Sequence, residues 1–292
     1  MKKMKINSLI IALGVMLFSA TLTTHAQRIY FGVGGGYGFP AARISLMNDS
    51  KSTYNGSTTT YESSSRPMSL GKGINAGLYV GYMLNKNIGA ELGASYLFGG
   101  KNIFTDEATN TAASFNYKTE MTWKGRMIRL VPTIRMTVGE KKLHPYMKVG
   151  FIIGVGSKIF TETHSQNINF STTTIIDENW EYSGGMSFGF HGGLGLNYMV
   201  SDKIGIFVEV SGNYQNWAMK KGSMTKYTVD GVNEMANVDI NDREIEFVDS
   251  YTETSSGSPD PNQASKTTKF FMPFSSIGGN LGIHIYIGGK TE

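Results

Sequence analysis

The sequence predicts an all-β fold: an eight-stranded antiparallel up-and-down barrel that crosses a lipid bilayer. Two observations lead to this prediction. Runs of about eleven residues alternate between bulky apolar and small or polar side chains, and this is the length that a tilted strand needs to cross a bilayer. The connections between these runs are alternately short and long. Since open sheet edges cannot lie in lipid, strands that cross it must close into a barrel.

The clearest alternation lies in residues 73–84. Its even-numbered residues are apolar and include Leu78 and Val80, whereas its odd-numbered residues include Asn75 and Gly77. A period of two places these two sets on opposite faces of a strand.

Eight strands follow from this pattern, the first with the weakest alternation. They are residues 28–39, 73–84, 88–98, 127–138, 145–155, 185–200, 204–214 and 275–287. The short connections are 85–87, 139–144 and 201–203, and the long ones are 40–72, 99–126, 156–184 and 215–274. This order is typical of outer-membrane barrels, which have short periplasmic turns and long external loops. The long segments are rich in Ser, Thr and Asn, so we expect solvated loops that continue in part as β-hairpins, with arms at 227–229 and 247–248.

The N-terminal segment has the features of a secretory signal peptide over residues 1–26. A basic stretch with Lys2, Lys3 and Lys5 precedes apolar residues 9–22, and small residues end the segment at Ala26. The alternative, an N-terminal anchor helix, is disfavoured because the apolar stretch is shorter than the roughly 20 residues of a membrane span. We therefore expect a single barrel domain over residues 27–292.

Charge and cysteine content exclude several classes of function. The chain has 27 Lys and Arg against 23 Asp and Glu, and three of the lysines lie in the predicted signal peptide. The mature chain would thus be nearly neutral, which gives no support for nucleic-acid binding. There is no cysteine, so disulfides and thiolate metal sites are excluded. The five histidines have no spacing typical of a metal site, and we expect no metal or cofactor.

The bulky face of the strands is predicted to meet lipid. A soluble lipocalin-type barrel would turn this face inward instead. The bulky face lacks charge within the eleven-residue bands, and its aromatic side chains, such as Phe31, Tyr198, Phe98 and Tyr214, cluster near the strand ends. This distribution matches the aromatic girdles of membrane barrels.

The opposite face, expected to consist mainly of small residues, carries six ionisable side chains. They are Glu91, Arg129, Arg135, Lys148, His191 and Glu209. Counted from the short turns, Glu91 and Arg135 lie at equal depth, with Lys148 and Glu209 at similar heights. Opposite charges at one depth of a closed lumen should pair, because an isolated buried charge is costly. We expect a structural network that fills the lumen, and an ion-selective gate is the alternative.

One motif resembles a catalytic site. Residues 185–189 match Gly-x-Ser-x-Gly, with Ser187 at the centre and His191 four residues after it. In hydrolases this motif works on a strand-to-helix turn, whereas here it lies within a predicted strand. We therefore expect no catalytic residue and no enzyme activity.

The chain resembles the small outer-membrane β-barrel family that includes PorT-like proteins, and more loosely the OmpX, OmpW and OmpA transmembrane barrels. The residues that carry the resemblance are the signal ending at Ala26, the strand pair 77–85 and 88–97, and the last strand, 281–287. The resemblance implies location in the cell outer membrane and contact with its lipid.

Several functions are compatible with these features. We expect a monomeric structural or surface-interaction barrel whose loops 40–72, 156–184 and 215–274 bind an extracellular ligand or protein. The first alternative is a porin-like narrow conduit for small or apolar solutes, as in OmpW. The second is a secretion-accessory barrel, as in PorT-like proteins.

Overall fold

Strands make up most of the chain in the computed structural model, which describes residues 28–41, 47–66, 68–139, 142–252 and 260–288. The all-β prediction is confirmed, whereas the predicted signal peptide lies outside the described residues. In the described part, no helix has the length and apolar character needed to cross a membrane.

The described residues form seventeen strands, a 3₁₀ turn (Met235–Asn237) and a one-turn helix α1 (Ile240–Arg243). The strands are β1 (Arg28–Pro40), β2 (Asn48–Tyr54), β3 (Thr59–Ser65), β4 (Gly73–Met83), β5 (Ile88–Gly99), β6 (Asn102–Asn110), β7 (Phe115–Thr137), β8 (Leu143–Asn169), β9 (Thr172–Ser183), β10 (Ser187–Ser201), β11 (Ile204–Ala218), β12 (Lys221–Val229), β13 (Val232–Asn233), β14 (Glu244–Val248), β15 (Ser265–Thr268), β16 (Phe271–Pro273) and β17 (Ser276–Ile287).

Eight of these strands pair as a closed antiparallel ring in the order β1, β4, β5, β7, β8, β10, β11 and β17. The last strand pairs with the first, from Ile29 opposite Ile287 to Pro40 opposite Ser276. The residue ranges of these eight strands overlap the eight ranges predicted from the alternation. Each strand thus has a neighbour on both sides, which satisfies the backbone groups along the whole ring.

The two faces of the ring differ as the alternation predicts. Apolar side chains such as Leu78, Leu92 and Val208 point outward and are exposed, whereas charged and polar side chains such as Glu91 and Lys148 are buried inside. An apolar outer face with a polar interior is the reverse of a soluble protein.

The short connections close one end of the ring, here called the short-turn end, through side-chain caps. The Asn85 side-chain oxygen accepts hydrogen bonds from the backbone N–H groups of Asn87 and Ile88, both at 2.8 Å. Ser201 accepts weaker bonds from Lys203 and Ile204 in the same way. Such local bonds are the reason that Asn and Ser favour tight turns.

The long connections form further β-structure at the opposite end, and in residues 99–126 and 156–184 the strands are more extensive than the partial β-hairpins expected there. β7 and β8 have 23 and 27 residues, and both continue well past the ring. Together with β2, β3, β6, β9, β12, β14 and β15 they form an extension, here called the external sheet. The predicted arms 227–229 and 247–248 are both in strands, but residues 227–229 pair with β9 rather than with β14.

A β-bulge marks the place where β8 passes from the ring into the external sheet. Ile128 pairs with Val155 and Arg126 pairs with Lys158, so β8 contains an additional residue there. Gly156 has a φ of 59°, a left-handed conformation that favours glycine. The bulge therefore lets one continuous strand belong to both parts of the sheet.

Candidate functional site

Four of the six ionisable residues predicted for the ring interior meet near its middle. Lys148 Nζ lies 2.9 Å from Glu91 Oε1 and 2.7 Å from Glu209 Oε2. Arg135 Nη1 lies 3.7 Å from the second oxygen of Glu91, which is an ion-pair distance rather than a hydrogen bond. The side chains belong to β5, β7, β8 and β11, so this cluster, here called the charge network, ties together strands from around the ring.

Two tyrosines complete the charge network, and the sequence analysis missed them. Tyr30 donates its hydroxyl to Glu91 Oε2 at 2.5 Å, and Tyr146 donates to Glu209 Oε2 at 3.0 Å. The Arg135 guanidinium carbon lies 4.0 Å from the centre of the Tyr146 ring, within cation–π range. Both tyrosines alternate with outward apolar residues, and this signal could have identified them.

The interior also contains large aromatic side chains, which corrects the expectation of mainly Gly, Ser and Asn. Glycines directly across from these rings provide the space. Tyr30 lies opposite Gly81 and Tyr146 lies opposite Gly195. A Cβ at Gly81 would lie 2.0 Å from the Tyr30 ring, and one at Gly195 would lie 2.3 Å from the Tyr146 ring. The inward glycines therefore accommodate rings that cross from the neighbouring strand.

We expect Gly195→Ala to lower the free energy of unfolding by about 1–3 kcal/mol, the usual cost of overpacking. The added methyl group would displace the Tyr146 ring from Arg135 and its hydroxyl from Glu209. Gly192→Ala on the same strand is the control, because a Cβ there has no neighbour within 4 Å. Urea unfolding in lipid vesicles measures both, and equal effects would contradict the packing argument.

The other two predicted residues lie outside the charge network. Arg129 donates from Nε to Gln215 Oε1 at 3.1 Å and from Nη2 to the backbone oxygen of Phe274 at 2.9 Å. His191 Nδ1 lies 2.8 Å from Asn213 Oδ1. Neither residue is within ion-pair distance of a carboxylate among the described residues.

Above the charge network, an apolar cluster fills the end of the ring next to the external sheet. This apolar plug, which the sequence analysis missed, consists of fully buried side chains: Met68, Leu70, Leu97, Met127, Trp217 and Phe274. Phe274 precedes β17 and yet contacts Gly125 on β7, at the opposite side of the ring, where a Cβ would lie 2.7 Å from its ring. The plug therefore spans the interior from one wall to the other.

Hydrogen bonds to the backbone hold the two stretches that carry plug residues, one around Leu70 and one around Phe274. Leu70 N–H donates to the Pro273 oxygen at 2.8 Å, and Phe274 N–H donates to the Gln215 oxygen at the same distance. The Ser69 hydroxyl donates to the Ser275 oxygen at 2.6 Å. A buried segment needs such partners for its polar backbone groups, and these bonds supply them.

Next to the charge network, whose Glu91, Lys148 and Glu209 form part of its lining, the ring interior contains a cavity of about 50 Å³. Its lining includes Asn75, Ser95, Arg129, His191 and Asn213. This volume accommodates a few water molecules at most, since one water needs at least about 10–15 Å³ of this space.

The Gly-x-Ser-x-Gly motif has separate partners for its serine and for the following histidine. Ser187 is buried in β10, where its hydroxyl accepts a hydrogen bond from Gln215 Nε2 at 2.9 Å. His191 contacts Asn213 instead. Within the described ranges, no group of three His, Asp or Glu residues has an arrangement that could hold a metal ion.

The external sheet presents ion pairs and exposed aromatic side chains to solvent. His164 Nδ1 lies 2.6 Å from Asp177, and Lys226 Nζ lies 2.9 Å from its second oxygen. Hydrogen bonds from His164 and then from Lys226 hold the pKa of the Asp177 carboxyl below its ordinary value. Phe170, at the tip between β8 and β9, is exposed and has a φ of 54°, which is unusual for a bulky residue.

Comparison with known proteins identifies the family. The sequence profile of the outer membrane protein beta-barrel domain matches residues 10–245. The chain belongs to this family. Its location is the cell outer membrane. Among solved structures, the chain is similar to Acinetobacter baumannii CarO2, with 12% identity over 88% of this chain and 99% of that chain and a TM-score of 0.29. None of the curated proteins compared with the chain is similar to it.

Proposed function

We propose that this protein is an eight-stranded transmembrane barrel with a filled lumen, whose external sheet acts as an interaction surface at the cell exterior. The observation that supports this function is the filling of the ring: the charge network and the apolar plug occupy its interior, and the cavity next to Arg129 measures about 50 Å³. Eight-stranded rings are just wide enough to be filled by side chains. The long external strands then account for the part of the chain that the barrel does not need.

The proposed orientation is based on the difference between the two ends of the ring. Short turns typically face the periplasm in outer-membrane barrels, and longer segments face outward. The outward apolar side chains of the ring would contact lipid hydrocarbon, and the external sheet would lie in water. A catalytic role has no part in this proposal, and a ligand or protein that binds the external sheet is its expected partner.

We expect the purified protein to show no ion conductance in planar bilayers. The plug lies across one end of the lumen, and the buried ion pairs close its middle, so hydrated ions have no continuous path. A porin reconstituted in the same lipid is the positive control. Stable single-channel steps from the wild-type protein would instead favour the alternative, a narrow conduit.

Thiol labelling of intact cells tests the orientation, and the chain has no cysteine of its own to interfere. Single cysteines at Ser63 in β3 and at Ser171, next to the exposed tip residue Phe170, should react with a membrane-impermeant thiol reagent. A cysteine at Asp202, in the short turn between β10 and β11, should react only after the cells are lysed. The reverse pattern would place the external sheet in the periplasm and contradict the proposal.

A further inference from the structure

The buried side chains of the ring interior carry an excess of positive charge. In the described part of the chain, the buried ionised groups are three cations, Arg129, Arg135 and Lys148, and two carboxylates, Glu91 and Glu209. If the histidines are neutral, the charges of these five groups sum to one positive charge. A buried charge without a counter-ion is strongly unfavourable, so the interior needs one further negative charge.

The position of Arg129 indicates where that negative charge is missing. Its side chain is only 4% exposed, and both hydrogen bonds described for it go to neutral oxygens, those of Gln215 and Phe274. The two carboxylates are already bonded elsewhere: Glu91 to Lys148 and Tyr30, and Glu209 to Lys148 and Tyr146. Arg129 is therefore the cation for which the protein supplies no anion among the described residues.

The cavity next to Arg129 is lined by hydrogen-bond donors and also by Glu91 and Glu209, whose carboxylates are bonded to Lys148 and to the two tyrosines. Asn75 and Ser95 line it, and neither side chain bonds to another described residue. Asn213 and His191, which contact each other, lie on the same lining. Ser95 is directly across from Arg129 in the sheet, so its hydroxyl and the guanidinium can approach the same ion.

We propose that this cavity binds one monovalent inorganic anion of halide size, such as chloride, against the Arg129 guanidinium. The ion neutralises the excess charge of the interior, and a volume of about 50 Å³ is suited to a small ion. This inference rests on the filled lumen of the proposed function but not on the role of the external sheet.

An anion-exchange experiment tests the site. The full chain is refolded into zwitterionic lipid vesicles, and urea unfolding is measured while sodium gluconate is replaced by sodium chloride at constant ionic strength. Above the dissociation constant, the folding equilibrium constant should rise about tenfold for each tenfold increase in chloride, because the ion binds only the folded state. A wild-type protein that does not respond to chloride would overturn the proposal.

Two variants separate a specific ion from a general salt effect. Arg129→Gln should lose the chloride dependence. Arg126→Gln should keep it, since Arg126 lies on the same strand but is exposed, with its guanidinium over the Phe160 ring at 4.9 Å. If the stability of Arg129→Gln still depends on chloride, the proposed site is refuted.

Bromide soaked into wild-type crystals gives a readout that does not depend on the stability of any variant. An anomalous peak within about 3.5 Å of the Arg129 guanidinium nitrogens is expected, and its absence would refute the ion. Conductance in bilayers would refute the filled lumen itself. If the protein does not conduct ions and the crystals show no bromide peak, only the anion site is refuted.

Discussion

Glu91→Gln is expected to lower the free energy of unfolding by about 3–5 kcal/mol, the usual cost of breaking a buried ion pair by removing one partner. Glu91 is 4% exposed and faces both Lys148 and Arg135. Without its charge, Arg135 keeps no carboxylate within 4 Å among the described residues, and Lys148 keeps only Glu209. Urea unfolding in lipid vesicles measures the loss. Glu62→Gln in the exposed strand β3 is the matched control, with an effect within about 0.5 kcal/mol.

The double variant Glu91→Gln with Arg135→Gln should recover part of this loss. It removes one charge of each sign and leaves Lys148 paired with Glu209 at 2.7 Å. A double-mutant cycle therefore reports the coupling between the two side chains. Strict additivity of the two single losses would mean that the pair does not interact in the membrane.

Leu92→Arg is expected to cost about 2–4 kcal/mol, the range found for Arg on the lipid face near the bilayer midplane. Leu92 is 49% exposed on the outer face of β5, between Val80 and Pro132 of the neighbouring strands. An exposed position in water would tolerate the same change. Val232→Arg in β13, which pairs with β12 of the external sheet, is therefore the control, and we expect an effect within about 0.5 kcal/mol. Similar losses at both positions would contradict a lipid-facing ring.

The sequence predicts the ring well because alternation depends only on which face a residue occupies. It also brings Glu91, Arg135, Lys148 and Glu209 together, since depth can be counted from the short turns. The sequence does not reveal that Arg129 lies outside the charge network. Depth along a strand does not show which other segment folds into the ring interior and bonds to Arg129. Met68 and Leu70 belong to a short stretch without periodicity, so nothing local marks them as part of a plug.

The full length of β7 and β8 outside the ring is not predicted by the sequence, for a different reason. In the proposed arrangement both faces of these segments would lie outside lipid. Their side chains are mostly polar, so the strong apolar contrast of the ring strands is lost. A weaker signal is present, since the alternate residues Phe115, Tyr117, Met121 and Trp123 are apolar or aromatic. Alternation judged without a requirement for a charge-free face would have extended β7 to its observed start.

The seam between β1 and β17 has a consequence for how the protein matures. The two strands that close the ring come from the two ends of the described chain, so their pairing must wait until every intervening strand is available. Until then both remain open edges with unpaired backbone groups, which readily join other chains. Contacts this distant in sequence form slowly. The period between translocation and closure is therefore when the chain is most vulnerable to aggregation, and when a periplasmic chaperone that shields strand edges would matter most.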